Sequence, residues 1–164
     1  MCIRDRGRAF DELGRTRNWW SEETDTKFRA ATDKLAAQYA KYCPVADGCI
    51  NGRLTMGENI GDLGGLTMAY TAYKLSLNGQ EAPVIEVDGV RYTGDQRFFL
   101  AWAQVWRSLG REDDTRQRLV TDPHSMPEFR TNGVVRNMDA WYAAFDVKPE
   151  DKLYLPPEER VRIW

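Results

Sequence analysis

At 164 residues, 42% hydrophobic and 12% aromatic, the chain has the composition of one globular domain with a core of its own, not of a disordered linker. A formal net charge of −2 gives no basic footprint for nucleic acid, and no apolar run reaches the length of a membrane span.

The first predicted element is a helix over 22–42. Ser21 suits its N-cap, and Glu22 and Glu23 sit in the first turn, where the helix dipole favours anions. Phe28, Leu35, Tyr39 and Tyr42 form one apolar stripe, and Cys43-Pro44 ends the helix because Pro disfavours helix in the residue before it. Cys43 and Cys49 flank the turn-rich Pro44-Val45-Ala46-Asp47-Gly48. Two readings stay open there: a small disulfide loop, or two unpaired thiols. Neither these nor Cys2 makes the CxxC spacing of a zinc-thiolate site.

A second helix is predicted over 55–77, stopping before Asn78-Gly79. It carries Gly57-Glu58-Asn59-Ile60-Gly61-Asp62-Leu63-Gly64-Gly65. Residues i and i+4 share a helix face, so Glu58 and Asp62 point the same way. Each interior Gly weakens a helix by about 1 kcal/mol relative to Ala. Gly57, Gly61 and Gly65 therefore predict a backbone, a metal or a ligand close against that face. Glu58 has two readings: the acid of a Thr55-x-x-Glu58 capping box, or a metal ligand. In the second, Asp62 orients a histidine ligand from behind.

Val84-Ile85-Glu86-Val87 and Val90-Arg91-Tyr92 flank Asp88-Gly89, a two-residue hairpin signal. A third helix over 95–109 follows a Thr93/Gln96 capping box. Its Phe98, Phe99, Trp102, Val105, Trp106 and Leu109 cover most of its surface, which predicts the central buried helix. A short polar helix over 112–120 comes next. Residues 121–136, with Pro123, Pro127 and Gly133, read as loop. That loop holds His124, the chain's single histidine, in Asp122-Pro123-His124-Ser125. Asp122 could bond the ring and keep it a donor to a developing oxyanion; the plainer reading is a surface histidine. Arg130 could bind a carbonyl or carboxylate. Asn137 suits the cap of a last helix to 145, and the tail from 155 reads as irregular. The predicted fold is mainly α with one short β-hairpin.

Six stretches in one order carry a family resemblance. They are Ala9-Phe10-Asp11, Asn18-Trp19-Trp20, Gly57 to Asp62, Phe98-Phe99-Leu100-Ala101-Trp102-Ala103-Gln104-Val105-Trp106, Asp122-Pro123-His124-Ser125, and the ending from Leu155-Pro156-Pro157 to Trp164. Together they resemble the neprilysin family of zinc metallopeptidases, which includes the endothelin-converting enzymes and bacterial oligopeptidases. The resemblance covers residues 7–164 and implies the C-terminal part of a zincin-like catalytic domain. By that likeness Glu58 is a zinc ligand and Asp62 holds a ligating histidine. His124, supported by Asp122, stabilises the transition state. Arg130 contacts the substrate backbone, and Val105 and Trp106 help form the pocket after the cleaved bond. The implied cofactor is zinc and the implied partners are an oligopeptide substrate and the missing N-terminal part of the same catalytic domain. The implied setting of the parent is extracytoplasmic: periplasmic, secreted or membrane-anchored.

One departure stands out. The family's H-E-x-x-H motif immediately precedes A/G-F-D, and here Arg4 and Arg8 occupy the histidine positions and Asp5 that of the general-base Glu. A guanidinium has no lone pair for a metal. The expectation is that residues 1–6, which resemble translated sequencing adaptor, are a non-native or truncation-derived start. The chain is then inactive alone. The alternative is a pseudoenzyme or a metal-free peptide-binding module.

Overall fold

The computed structural model describes residues 9–163; Cys2, Arg4, Asp5, Arg8 and Trp164 lie outside the described residues. Helix α1 spans Glu22–Tyr39, with the Ser21 hydroxyl accepting the Thr24 N–H at 3.2 Å. It buries Phe28, Leu35 and Tyr39. It ends at Tyr39, short of 42, because the chain turns off into a loop closed by a Cys43–Cys49 disulfide, where the Ile50 N–H bonds back to the Tyr42 carbonyl. Just beyond, Gly52 crosses the α1 backbone so closely that a Cβ there would sit 2.0 Å from the Ala36 carbonyl oxygen.

Helix α2, Met56–Ser76, is the most deeply buried helix near its start, with Asn59, Ile60, Asp62, Leu63, Gly64 and Leu66 inside. It packs on α1 and on helix α5, Pro127–Val135. The Thr55/Glu58 capping box does not form. Instead Asn51 Oδ1 accepts the Arg53 and Leu54 N–H groups at 3.1 Å each, and the Thr55 hydroxyl turns to the Asn51 carbonyl at 3.2 Å. The hairpin pairs β1, Ile85–Val87, with β2, Val90–Tyr92, in the register Val87↔Val90. Its turn residues Asp88 and Gly89 have φ of 52° and 78°, the left-handed pair that a type I′ turn requires.

Helix α3, Gly94–Val105, has its Thr93/Gln96 capping box in full. It is not the central buried helix. Only Gly94 and Phe99 are buried, while Val105 is 71% exposed and Leu109, past its end, is fully exposed. Apolar residues surround α3, but only one side meets other described residues, where Phe98 and Phe99 pack against Tyr70. Helix α4, Glu112–Thr121, buries no residue, as its polarity predicts.

The segment expected to be loop contains α5. Pro127 stands in its first turn, where Pro suits the helix and lacks no needed N–H. Gly133 is there for space: a Cβ would lie 2.8 Å from the Tyr39 ring. Helix α6, Asp139–Phe145, begins after Met138, and Asn137 does not cap it. The buried Asn137 amide donates to Gln38 Oε1 at 2.9 Å and to the Gly133 carbonyl at 2.8 Å, and accepts the Val161 N–H at 2.7 Å. It thus pins the irregular tail, with buried Leu155 and Val161, to α1 and α5.

Two glycines make opposite predictions. Gly65, in α2, has nothing within 4 Å of its built Cβ, so no close neighbour explains it among the described residues. Gly65→Ala should raise stability by about 0.5–1 kcal/mol, as helix propensity dictates. Gly133→Ala should lower it by about 1–3 kcal/mol, because the buried Tyr39 ring cannot move aside. Urea denaturation of the two variants checks both signs.

Candidate active site

The site is assembled where the first turns of α2 meet the connection between α4 and α5. Asp122 leaves the helical region at the end of α4 (φ −96°, ψ 126°), which frees its side chain to fold over the next turn. Its Oδ1 accepts the His124 backbone N–H at 2.9 Å and lies 2.7 Å from His124 Nδ1. An ionised carboxylate can only accept, so Nδ1 carries the proton. Arg118, one turn back on α4, donates from Nε to Asp122 Oδ2 at 3.0 Å. Burial works against the Asp122 charge, but the His124 amide, the His124 ring and Arg118 outweigh it and hold the carboxyl at about 2.

With Nδ1 fixed, the far nitrogen of the ring is aimed at α2. His124 Nε2 lies 3.4 Å from Glu58 Oε2, both side chains being partly exposed. The single histidine is therefore no isolated surface residue. It bridges the acid of its own loop and the acid of α2.

One turn along α2, Asp62 takes a bidentate pair from Arg130 on α5: Nε to Oδ2 at 2.6 Å and Nη2 to Oδ1 at 2.7 Å. Their side chains are only 9% and 15% exposed. Burial raises the Asp62 carboxyl above its usual value, and the bonds and charge of Arg130 oppose that rise. Burial likewise disfavours the Arg130 charge, yet the Asp62 bonds hold it above its ordinary value. Two short N–H···O bonds require a carboxylate, so the pair is ionised at neutral pH. Trp106, at the end of α3, lies under the guanidinium with the Arg130 Cζ 3.9 Å from its ring centroid. Trp102 Nε1 donates to the Arg130 carbonyl at 3.3 Å.

Glu58, Asp62, Asp122, His124, Arg130 and Trp106 are thus brought together. Val105 is not part of this cluster and faces outward. Asp62 meets an arginine here, and the histidine it was expected to orient is not among the described residues. Sequence reasoning missed Arg118, whose i,i+4 spacing to Asp122 was the available signal. It also missed the stacking of Arg130 on Trp106, which no spacing announces. Among the described residues no three His, Cys, Asp or Glu side chains converge as metal ligands.

The profile of Peptidase family M13 matches residues 2–161. The chain belongs to this family. It is 32% identical over 160 residues to Neprilysin-3 of Drosophila melanogaster, covering 98% of this chain and 20% of that protein. To Endothelin-converting enzyme 1 of Cavia porcellus it is 35% identical over 162 residues, covering 98% and 21%. Among solved structures it superposes on the zinc metalloprotease Zmp1 of Mycobacterium tuberculosis, in complex with inhibitor, with a TM-score of 0.91 and 51% identity, covering 98% of this chain and 25% of that one. PepO from Lactobacillus rhamnosis HN001 gives a TM-score of 0.78 and 32% identity, covering 96% and 23%. The chain therefore spans about a fifth of the length of these curated M13 relatives.

The low Asp122 carboxyl makes a pH prediction. Its folded value of about 2 lies below the roughly 3.9 of an unfolded Asp. The stabilisation is present in full above about pH 4 and is lost as pH falls through about 2. Asp122→Asn should cost about 1–2 kcal/mol at pH 6, a figure discounted for a side chain a quarter exposed. At pH 2 the variant and the wild type should converge, as read by urea denaturation at both pH values.

Proposed function

We propose that the whole protein to which this sequence belongs is a zinc-dependent metalloendopeptidase of oligopeptides, and that this chain contributes the C-terminal part of its catalytic domain. The observation that carries the reading is the approach of the single histidine to Glu58 at 3.4 Å, beside the Asp62–Arg130 pair, in an M13 chain. In this reading Glu58 is one carboxylate donor to zinc, and the other donors come from outside the described residues. Asp62 supports a ligating histidine and keeps Arg130 in line.

His124 donates from Nε2 to the oxyanion that forms when the peptide carbonyl becomes tetrahedral. With Nδ1–H given to Asp122, that donation uses the doubly protonated ring, whose charge faces the carboxylates of Asp122 and Glu58. Arg130 contacts the substrate backbone, and Trp106 borders a pocket for an apolar side chain after the cleaved bond; Val105, turned outward, takes no part in that pocket within the described residues. The Cys43–Cys49 disulfide supports an extracytoplasmic setting, since such bonds persist in oxidising compartments. The chain as given is inactive in this reading, because Arg4 and Arg8 at the motif positions cannot ligate zinc.

Two experiments test these assignments. Calorimetric titration of this chain with zinc should reveal no tight one-to-one site; a tight site that disappears in Glu58→Ala would overturn the assignment of an incomplete ligand set. In the intact peptidase, His124→Gln should lower kcat roughly 100-fold or more with KM changed little. An equal loss in kcat and in substrate affinity would argue against a transition-state role.

A further inference from the structure

A buried polar chain, separate from the charged cluster, joins the two halves of the site. The Ser125 hydroxyl donates to Asn59 Oδ1 at 2.8 Å, and both residues are 1% exposed. Asn59 Nδ2 donates to Thr55 Oγ1 at 3.0 Å, and the Thr55 hydroxyl donates to the Asn51 carbonyl at 3.2 Å. The direction of the chain is fixed: the Thr55 proton goes to a carbonyl, so its oxygen accepts, and the Asn59 amide must present NH₂ to Thr55 and oxygen to Ser125. Asn59 follows Glu58 in sequence, and Ser125 follows His124.

We infer that Asn59 and Ser125 are positioning residues that set the spacing between Glu58 and His124. The bonds that orient the imidazole are local: His124 to Asp122, and Asp122 to Arg118, within four residues. They fix the ring relative to its own loop and leave the distance from that loop to α2 undetermined. Ser125 to Asn59 spans 66 residues and sets that distance. An apolar pair at this site would hold α2 and the loop together without fixing their register, because apolar contact is non-directional. A satisfied buried hydrogen bond is directional, and a misplaced partner leaves both groups unpaired away from water. The packing around it explains why the bond cannot slip. Ile60, beside Asn59, is fully buried, and Met126, beside Ser125, is 7% exposed.

The catalytic meaning of this clamp rests on the proposed assignment of Glu58 and His124 to one peptidase site. Its test reads geometry alone. His124 is the only histidine, so its ring signals in NMR spectra of the full chain are unambiguous. Carboxylates facing the ring are those of Glu58 and Asp122, with Asp62 one turn beyond Glu58. In Ser125→Ala, with helical circular dichroism unchanged, the ring Cε1–H, Cδ2–H and Nε2 signals should move and broaden. The His124 amide should exchange roughly tenfold faster. Ser125→Thr keeps the hydroxyl and should restore the wild-type ring signals. Thr71→Ala, which removes an exposed hydroxyl bonded one turn back on the same helix, should leave them unmoved.

Ring signals in Ser125→Ala that coincide with those of the wild type would overturn the proposal, as would a Ser125→Thr variant that behaves like Ala. Should Ser125→Ala fail to fold, Thr55→Val reads the same chain from its far end. It releases Asn59 Nδ2 at nearly constant volume, and unmoved ring signals there would equally overturn the proposal. A clamp refuted in this way leaves the peptidase assignment standing, and an inactive intact protein leaves the ring result untouched.

Discussion

Burial of the first two turns of α2 is the constraint on which the site depends. Glu58, Asn59 and Asp62 occupy those turns, and their side chains reach partners on the α4–α5 connection and on α5 itself. Every one of these partners lies more than 60 residues away in sequence, so no local rule positions them. What brings them within reach is the packing of α2 against α1 and α5, with Ile60, Leu63, Leu35, Tyr39 and Val134 in one core, on which the directional polar bonds then set the final spacing. The polar residues of the site are therefore aimed by apolar neighbours only one or two positions away along α2. A shift of α2 by one residue would rotate the acids away by about 100° and break the charged pair and the clamp together.

The buried ion pair illustrates how demanding that arrangement is. A carboxylate and a guanidinium removed from water lose several kcal/mol of hydration each, and their attraction repays this only with good geometry. Asp62 and Arg130 meet that condition through two parallel hydrogen bonds, with the Trp106 ring covering the face of the guanidinium. Removing one partner alone would leave the other charged and stranded. This is a reason to regard Trp106 as part of the charged site as much as of an apolar pocket.

Much of this was legible in the sequence, for identifiable reasons. Ser21, the Thr93/Gln96 box and Asp88-Gly89 act within four residues of themselves, so their spacing carried their structure. The shared face of Glu58 and Asp62 followed from helical periodicity. The failures were tertiary. Pro127 and Gly133 read as breakers of a helix that exists, because a proline in a first turn and a glycine against Tyr39 are both compatible with helix. Thr55 and Glu58 match a capping box that loses to Asn51, Asn59 and His124 as partners. The aromatic run in α3 predicted burial, but periodicity cannot say how many sides of a helix the protein covers. Asn137 looked like a cap and serves as a tie between three distant segments.

The two aspartates of the site differ by environment, and the difference assigns their work. Asp122 is partly exposed and accepts from the His124 amide, the His124 ring and Arg118, so it stays ionised far into acid and remains an acceptor for Nδ1. Asp62 is buried, its carboxyl raised by loss of water, and its charge depends on Arg130. The substrate contact proposed for Arg130 must therefore leave the guanidinium on Asp62. The fork geometry resolves this. Nε and Nη2 are turned to Asp62, while the remaining N–H groups of the planar guanidinium point elsewhere, so the proposed contact with a peptide carbonyl adds to the ion pair without competing with it. A lysine at 130, with one compact ammonium and no planar fork, would lose the parallel two-point pairing with Asp62 that holds the group in line.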